Sequence, residues 1–397
     1  ITVGINDAYT DENTLQPLIL DTKGQLIHIE NSWSTEDSRI TIFADYNNYT
    51  LNIQLNNLFA PGVHALAAKD NDGKDDNRFR YGGSIAYNLN ESLNIAAGIE
   101  QETRSRAGYR LYFLDDQSSP LVTLLGKGKV DELSAYTQLD YSYLNWRFLI
   151  GGRYTDNEIS GNKITPRAAI VYTFDEHQSL KALYSTGFNS PNPTQTSISL
   201  SGDVEGNENL TAEIVKTFDV AYSYSEENML FVANVYALEA EDFIQRRFSE
   251  SVGASSFFNE GNFKRHGVEL DFQIASNSST LFANLAFQKE GNKEVVGDSA
   301  AFNTAKLTLS IGASTEFFDN HSIGGNISYI GERHNIDSYN IVNINYTARL
   351  SNFDFFVVLR NVFDQNILNP DISTQHSKLV AQGEKGVNAQ IGIRFDF

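Results

Sequence analysis

Chemistry in this chain has few places to come from, because its 397 residues include no cysteine. Seven histidines stand at His28, His64, His177, His266, His321, His334 and His376. None falls in an H-E-x-x-H or H-x-x-x-H spacing, so no zinc-hydrolase site is spelled out. No G-x-S-x-G elbow, P-loop or G-x-G-x-x-G turn occurs either. Neither an enzymatic activity nor a cofactor is expected. The run Asp70-Asn71-Asp72-Gly73-Lys74-Asp75-Asp76 has the composition of a calcium loop. Its glycine comes too early for EF-hand spacing, and a solvated acidic loop is the competing reading. Two clusters combine cations with rings: Arg104, Arg106, Tyr109, Arg110, Tyr112 and Phe113, then Arg246, Arg247, Phe257 and Phe258. Guanidinium groups beside aromatic faces suit an anionic or aromatic small molecule. Loops packing on one another would use the same residues.

What positions these clusters is a long series of strands. From Val387 to Phe397 the residues Val387, Ala389, Ile391, Ile393, Phe395 and Phe397 share one side, and Asn388, Gln390, Gly392, Arg394 and Asp396 the other. That period of two marks a strand whose faces meet different surroundings. Ile393, Phe395 and Phe397 suit the closing strand of a membrane barrel and its assembly signal. The pattern recurs at Leu133–Tyr143, at Trp146–Tyr154, and where Val268, Leu270, Phe272 and Ile274 alternate with Glu269, Asp271 and Gln273. Strands are expected at 14–21, 24–33, 38–46, 49–59 and onward to 385–397, about 19 or 20 in all, with a weaker one at 2–9.

Connection lengths carry more information than the strands. Short turns at Asn88–Ser92, Leu144–Asn145, Asp175–Gln178, Glu226–Asn228, Ser276–Ser279, Phe317–Asn320 and Ser351–Asn352 alternate with long loops. The long ones cover 104–128, 155–163, 188–211, 241–260, 291–302, 332–340 and 364–384. Outer-membrane barrels have short periplasmic turns and long outer loops. Tyr143, Trp146, Tyr154, Tyr222 and Tyr224 lie near strand ends, where interfacial rings belong. No apolar run approaches the roughly 20 residues of a spanning helix. With 30 Lys+Arg against 50 Asp+Glu, a net charge of -20 speaks against nucleic-acid binding. The expected fold is therefore all-β, a large antiparallel transmembrane β-barrel in the outer membrane of a Gram-negative cell, with lipid around it.

Four segments resemble the TonB-dependent outer-membrane receptor family. Leu183-Tyr184-Ser185-Thr186-Gly187-Phe188-Asn189-Ser190-Pro191 looks like its Y-S-x-G-F-x-x-P stretch. Gly206-Asn207-Glu208-Asn209-Leu210-Thr211-Ala212-Glu213 looks like its G-N-x-x-L-x-P-E loop end, with Ala212 in place of proline. Asn259-Glu260-Gly261 and Gly267-Val268-Glu269 resemble its N-x-G … G-V-E pair, and Asn361-Val362-Phe363-Asp364 its N-L-F-D. The resemblance implies a 22-stranded barrel, a plug in the lumen, and TonB-energised uptake of a scarce ligand. A ferric siderophore or similar iron complex is the favoured small-molecule ligand, bound by the two outer-loop clusters. A passive diffusion porin of similar strand number is the alternative. No segment here reads as the family's plug or TonB-pairing segment, so residues 1–397 are expected to be the barrel part of a longer receptor, a monomer reaching TonB through an absent N-terminal segment. Lumenal Glu269, Asp271, Arg349 and Arg360 would pair across strands, hold a plug, or stand solvated.

Overall fold

The computed structural model describes residues 18–55, 65–69, 76–200, 204–293, 304–318, 320–333, 336–370, 380–382 and 386–395. The expected strand at 2–9, residues 70–75 of the acidic run, His64, His334, His376 and Phe397 lie outside these residues.

Backbone pairing organises the molecule. One sheet contains 20 strands, of which three belong to outer loops and the other seventeen follow one another as an antiparallel wall. The wall begins with β1 (Leu18–Ser34), β2 (Ser38–Leu55), β3 (Asp76–Asn90) and β4 (Leu93–Arg106). It continues through β5 (Gly128–Tyr143), β6 (Trp146–Asn157), β7 (Gly161–Thr173) and β8 (Gln178–Asn189). Next come β9 (Glu213–Glu226), β10 (Met229–Glu241), β11 (Phe263–Ala275) and β12 (Ser279–Lys293). It ends with β13 (Leu307–Phe317), β14 (His321–Ile330), β15 (Tyr339–Leu350), β16 (Phe353–Arg360) and β17 (Asn388–Phe395). Each pairs with its predecessor, so backbone donors and acceptors are satisfied between strands. In a bilayer an unpaired backbone group costs several kcal/mol, which is why only such a ladder, or a helix, can span one. No helix among the described residues is long and apolar enough to cross a membrane.

The alternation expected from sequence is present as two faces. Register carries Ile99, Leu133, Ile150, Ile164 and Phe218 onto one face, and these side chains are exposed. Val235, Phe287, Ile311, Ile327 and Ile391 continue it. Exposed apolar side chains repeated on strand after strand mark a surface whose solvent is lipid. Near the short turns this face carries adjoining rings: Trp146 lies tilted 4.6 Å from Tyr172, which meets Phe174 edge-on at 4.9 Å. Tyr222 and Phe231 continue the belt at 6.4 Å. The opposite, lumenal face carries the charged and amide side chains, including Glu269 and Asp271.

All seven expected short turns are hairpin turns. Three other expectations need correction. The pairs 14–21/24–33 and 38–46/49–59 are not four strands but two, β1 and β2, paired without interruption from Leu18↔Leu55 to Ser34↔Arg39. Gly24, Asn47 and Asn48 look like turn residues, yet they face partners in the opposite strand, and a continuous ladder outweighs local preference. At about 3.3 Å per residue these strands run near 56 Å, well beyond an apolar band of about 25 Å. The loop expected at 155–163 is a three-residue turn between Asn157 and Gly161. The Asn157 side-chain oxygen accepts from the amides of Ile159 and Ser160, both at 3.0 Å, and Gly161 takes φ +69°. Last, the three loop strands, Ala65–Lys69, Tyr109–Phe113 and Val122–Leu125, fall in stretches not expected to be strands. With the two mergers, the nineteen expected strands correspond to the seventeen of the wall, and the sheet reaches 20 only with these three.

Candidate functional site

Because β2 overshoots the wall, its end can pair sideways. Ile53–Leu55 pairs with Ala65–Lys69, that segment with Tyr109–Phe113, and that in turn with Val122–Leu125. A bridge from Leu125 to Ile198 passes the pairing on to Ser199–Leu200 and Val204–Glu205, then to the hairpin Ala254–Asn259/Ile244–Ser249. The outer loops are thus knitted laterally into a crown. Ala65, Ala67 and Leu111 are buried within it, against Ile53, Val122 and Leu124.

The segments that resemble the receptor family are the knots of this crown. Glu213 is buried and accepts from the Ile244 amide at 2.7 Å and the Asn189 side chain at 2.8 Å, joining two loops to the wall. Asn207 donates to the Phe257 carbonyl at 2.8 Å. Asn259 donates to the carbonyls of Thr211 (2.9 Å) and Asp242 (2.8 Å) and accepts from the Thr211 amide (2.8 Å). Asn361, in the left-handed region at φ 52°, donates to Gln365 and Gly386 carbonyls at 2.8 and 3.3 Å, closing the base of the last outer loop. Side-chain amides suit this work because each supplies donors and an acceptor to loop backbone that no strand satisfies.

Beneath the crown lies a cavity of about 770 Å3. Tyr49, Asp76, Arg104, Arg106, Tyr109 and Asn157 are among its polar lining residues, while Lys129 borders it with its side chain on the outer face. The five-residue helix Pro193–Ser197 closes one side, its start fixed by a reciprocal capping box between Asn192 and Gln195. Arg104 contacts Glu102 and Glu132, each at 2.9 Å. Lys129 pairs with Asp131 at 2.7 Å. Arg106 instead donates to the Gly126 carbonyl at 2.7 Å and makes no ion pair among the described residues. Tyr109 donates to Asp76, which also accepts from the Ala107 amide at 2.9 Å. Burial first, and the Asp76 contact second, push the Tyr109 phenol well above its usual range. The phenol is thereby held as a neutral donor to Asp76.

The structure therefore brings Arg104, Arg106 and Tyr109 together, while Arg110, Tyr112 and Phe113 continue the loop strand away from the cavity. The second cluster does not join them. Arg247 donates to Glu260 at 2.6 Å and lies over the Phe258 ring at 3.9 Å, holding its own hairpin together. That contact keeps the Glu260 carboxyl below its usual range and raises the guanidinium. Arg246 and Phe257 sit on the same hairpin. Sequence reasoning missed Tyr49, which reads as an ordinary strand residue, and Asn157, which reads as part of a loop. The Pro191-Asn192-Pro193 run was the one local signal for the capping helix. Below the cavity, β2 to β6 carry a lumenal ion-pair network. Arg80 donates to Asp45 at 2.8 Å, Arg78 to Glu102 at 2.7 Å, and Arg153 pairs with Glu100. Among the described residues no group of three or more His, Asp or Glu side chains is placed to hold a metal.

A family model described as TonB dependent receptor-like, beta-barrel, matches residues 4–362. The ferrioxamine B receptor of Salmonella typhimurium (strain SL1344) is 23% identical over 249 residues, covering 55% of this chain and 34% of that receptor. The chain thus spans about a third of the length of this curated relative. Among solved structures, the ferric yersiniabactin uptake receptor FyuA from Yersinia pestis superposes with a TM-score of 0.76 at 12% identity, over 100% of this chain and 65% of that one. The FrpB iron transporter from Neisseria meningitidis (F3-3 variant) gives 0.64 at 13%, over 100% and 75%. The siderophore receptor PirA from Acinetobacter baumannii gives 0.70 at 12%, over 96% and 63%. At these identities the structural likeness speaks for the fold.

Proposed function

This chain belongs to the TonB-dependent receptor-like β-barrel family, and from that premise we propose that it is the wall and outer vestibule of an outer-membrane receptor for a ferric siderophore or similar iron complex. Family members are barrels of the outer membrane and act as receptors and transporters rather than enzymes. The iron-complex reading for this chain draws support from the printed names of the relatives and from the cavity under the crown. Arg106 carries that reading: it is a cation at the cavity wall that donates to a carbonyl and makes no salt bridge among the described residues, although the Asp76 carboxylate lies near enough to act on it. A guanidinium so placed favours an anionic ligand. Tyr49 and Tyr109 add ring surface of the kind that packs on aromatic or hydroxamate-bearing ligands. Energy for uptake would come through TonB, and a plug would gate the lumen.

The reading is tested by titrating the folded chain in detergent with ferric hydroxamate, catecholate and citrate complexes and following intrinsic fluorescence. The expected result is saturable binding of one class, weakened by Arg106→Gln and untouched by Arg247→Gln. Ion conductance in planar bilayers with no saturable binding would favour the passive pore instead. Equal loss from both variants would remove the cavity from the account.

A further inference from the structure

Charged side chains on the outer face of a barrel wall belong at the edges of the apolar band, and along β9 to β12 that edge is cationic. Counted up from the short turns, Lys216, Glu239, Lys264 and Lys289 lie ten or eleven residues along their strands. At about 3.3 Å per residue and a tilt near 40°, that is roughly 25 Å, the height of the apolar band. Register puts Lys216, Glu239 and Lys264 on one rung and His266 and Lys289 on the next. These residues share their face with Phe218, Val235 and Phe287, whose side chains are about half exposed just below them.

Glu239 and Glu241 only partly offset the lysines. Lys264 pairs with Glu239 at 2.8 Å and Lys216 with Glu241 at 2.5 Å, while Lys289 makes no ion pair among the described residues. Far around the wall the same height looks different. On β4 to β6 it carries Thr103, Asp131 and Asp156, with Lys129 one rung above Asp131 and paired to it. In a chain of net charge -20, a row of three lysines on four adjacent strands is a local reversal of sign. Lys216 and Lys264 are two strands apart, about 10 Å.

We propose that this edge binds the headgroup of an outer-leaflet lipid that carries two phosphates. Lys216, Lys264 and Lys289 face the phosphates, and acyl chains lie over Phe218, Val235 and Phe287. An ammonium is a compact point charge that suits a phosphate without demanding bidentate geometry. The site rests on the reading of the outer face as the lipid face.

The test is native mass spectrometry of the whole folded chain in detergent, titrated with a bisphosphorylated disaccharide lipid and with its dephosphorylated counterpart. The phosphorylated lipid is expected to bind and the dephosphorylated one to be lost. Lys289→Gln, which breaks no ion pair, should weaken binding roughly fivefold, and substitution of all three lysines roughly a hundredfold. Glu239→Gln breaks the same Lys264 pair that Lys264→Gln breaks, but leaves the cation, so it should bind as tightly as the parent or tighter. Binding that ignores the phosphates, survives loss of the lysines, or falls with Glu239→Gln as it does with Lys264→Gln would overturn the proposal while leaving the barrel intact. A chain that does not fold in micelles would overturn the membrane reading and the site with it.

Discussion

The lumenal wall is built in two ways. From β2 to β6 charge predominates: Asp45, Glu100, Glu102 and Glu132 meet Arg78, Arg80, Arg104 and Arg153 within a strand or one or two strands apart. From β12 to β17 small residues and flat rings predominate, with the Arg349–Glu316 pair near the short turns. Ser310 and Ser328 share a hydrogen bond at 2.9 Å, and Asn343 donates to Asn326 at 3.3 Å. Phe282 lies over Gly312 and Phe356 over Gly392, each directly opposite in register. Rings laid on glycine supply apolar cover that a bare glycine strand lacks. The contrast teaches that lumenal side chains stabilise the same ladder by different forces, and those forces respond to different perturbations. Charge is screened by salt; packing is not. The charged sector also lies under the candidate cavity, so it would meet a polar ligand or plug, whereas the charges of the packed sector, such as the Arg349–Glu316 pair at 3.4 Å, sit beside the short turns.

The largest effect should come from the packed sector. A Cβ at Gly312 or Gly392 would stand 2.4 or 2.3 Å from the ring opposite. Gly392→Ala should cost about 1–3 kcal/mol, the usual price of overpacking, read as a fall in the urea midpoint of the folded chain. Adding Phe356→Ala should recover part of it, because the clash partner is gone. In the charged sector, Glu102→Gln leaves Arg78 and Arg104 facing each other without the shared carboxylate. A loss near 1 kcal/mol is expected at low salt, shrinking in molar salt. If Gly392→Ala were the salt-sensitive one, the two-sector account would be wrong. Ser310→Ala should cost less than about 0.5 kcal/mol at any salt, since water in the lumen replaces the lost partner.

The smallest effect lies outside the lumen, where one charge pair ties a crown hairpin. The folded Glu260 carboxyl titrates below its unfolded value of about 4.3 because Arg247 holds the charged form. Its contribution is therefore full above that value and is lost as pH falls through the folded one. Hydrogen exchange in 244–259 should be steady from pH 7 to 5 and quicken only at pH below the ordinary glutamate value, once the intrinsic pH dependence of exchange is divided out. Glu260→Gln should remove that step.

The wall was legible in sequence because a period of two survives in strands such as Val268–Ile274, and because the short turns are local. What stayed hidden depends on partners far along the chain. Gly24, Asn47 and Asn48 look like turns until β1 and β2 are set in register. Asp156 and Asn157 look like loop until they pair with Asn162 and Gly161. Tyr49 reaches the cavity only through the crown, whose longer-range pairings join residues about 40 to 73 apart. The recognised motifs were visible as strings, but their work as knots between loops needed the hydrogen-bond partners of Asn207, Glu213 and Asn259.

The central claim is that successive side chains along a wall strand alternate between lipid and a watery lumen. With no native cysteine to remove, single cysteines can be placed at each position from Val268 to Ile274 and spin-labelled in bilayers. Collision with oxygen should peak at 268, 270, 272 and 274, and collision with a water-soluble nickel chelate at 269, 271 and 273. Accessibility that rises and falls with no two-residue period, or with the two reagents interchanged, would contradict the account.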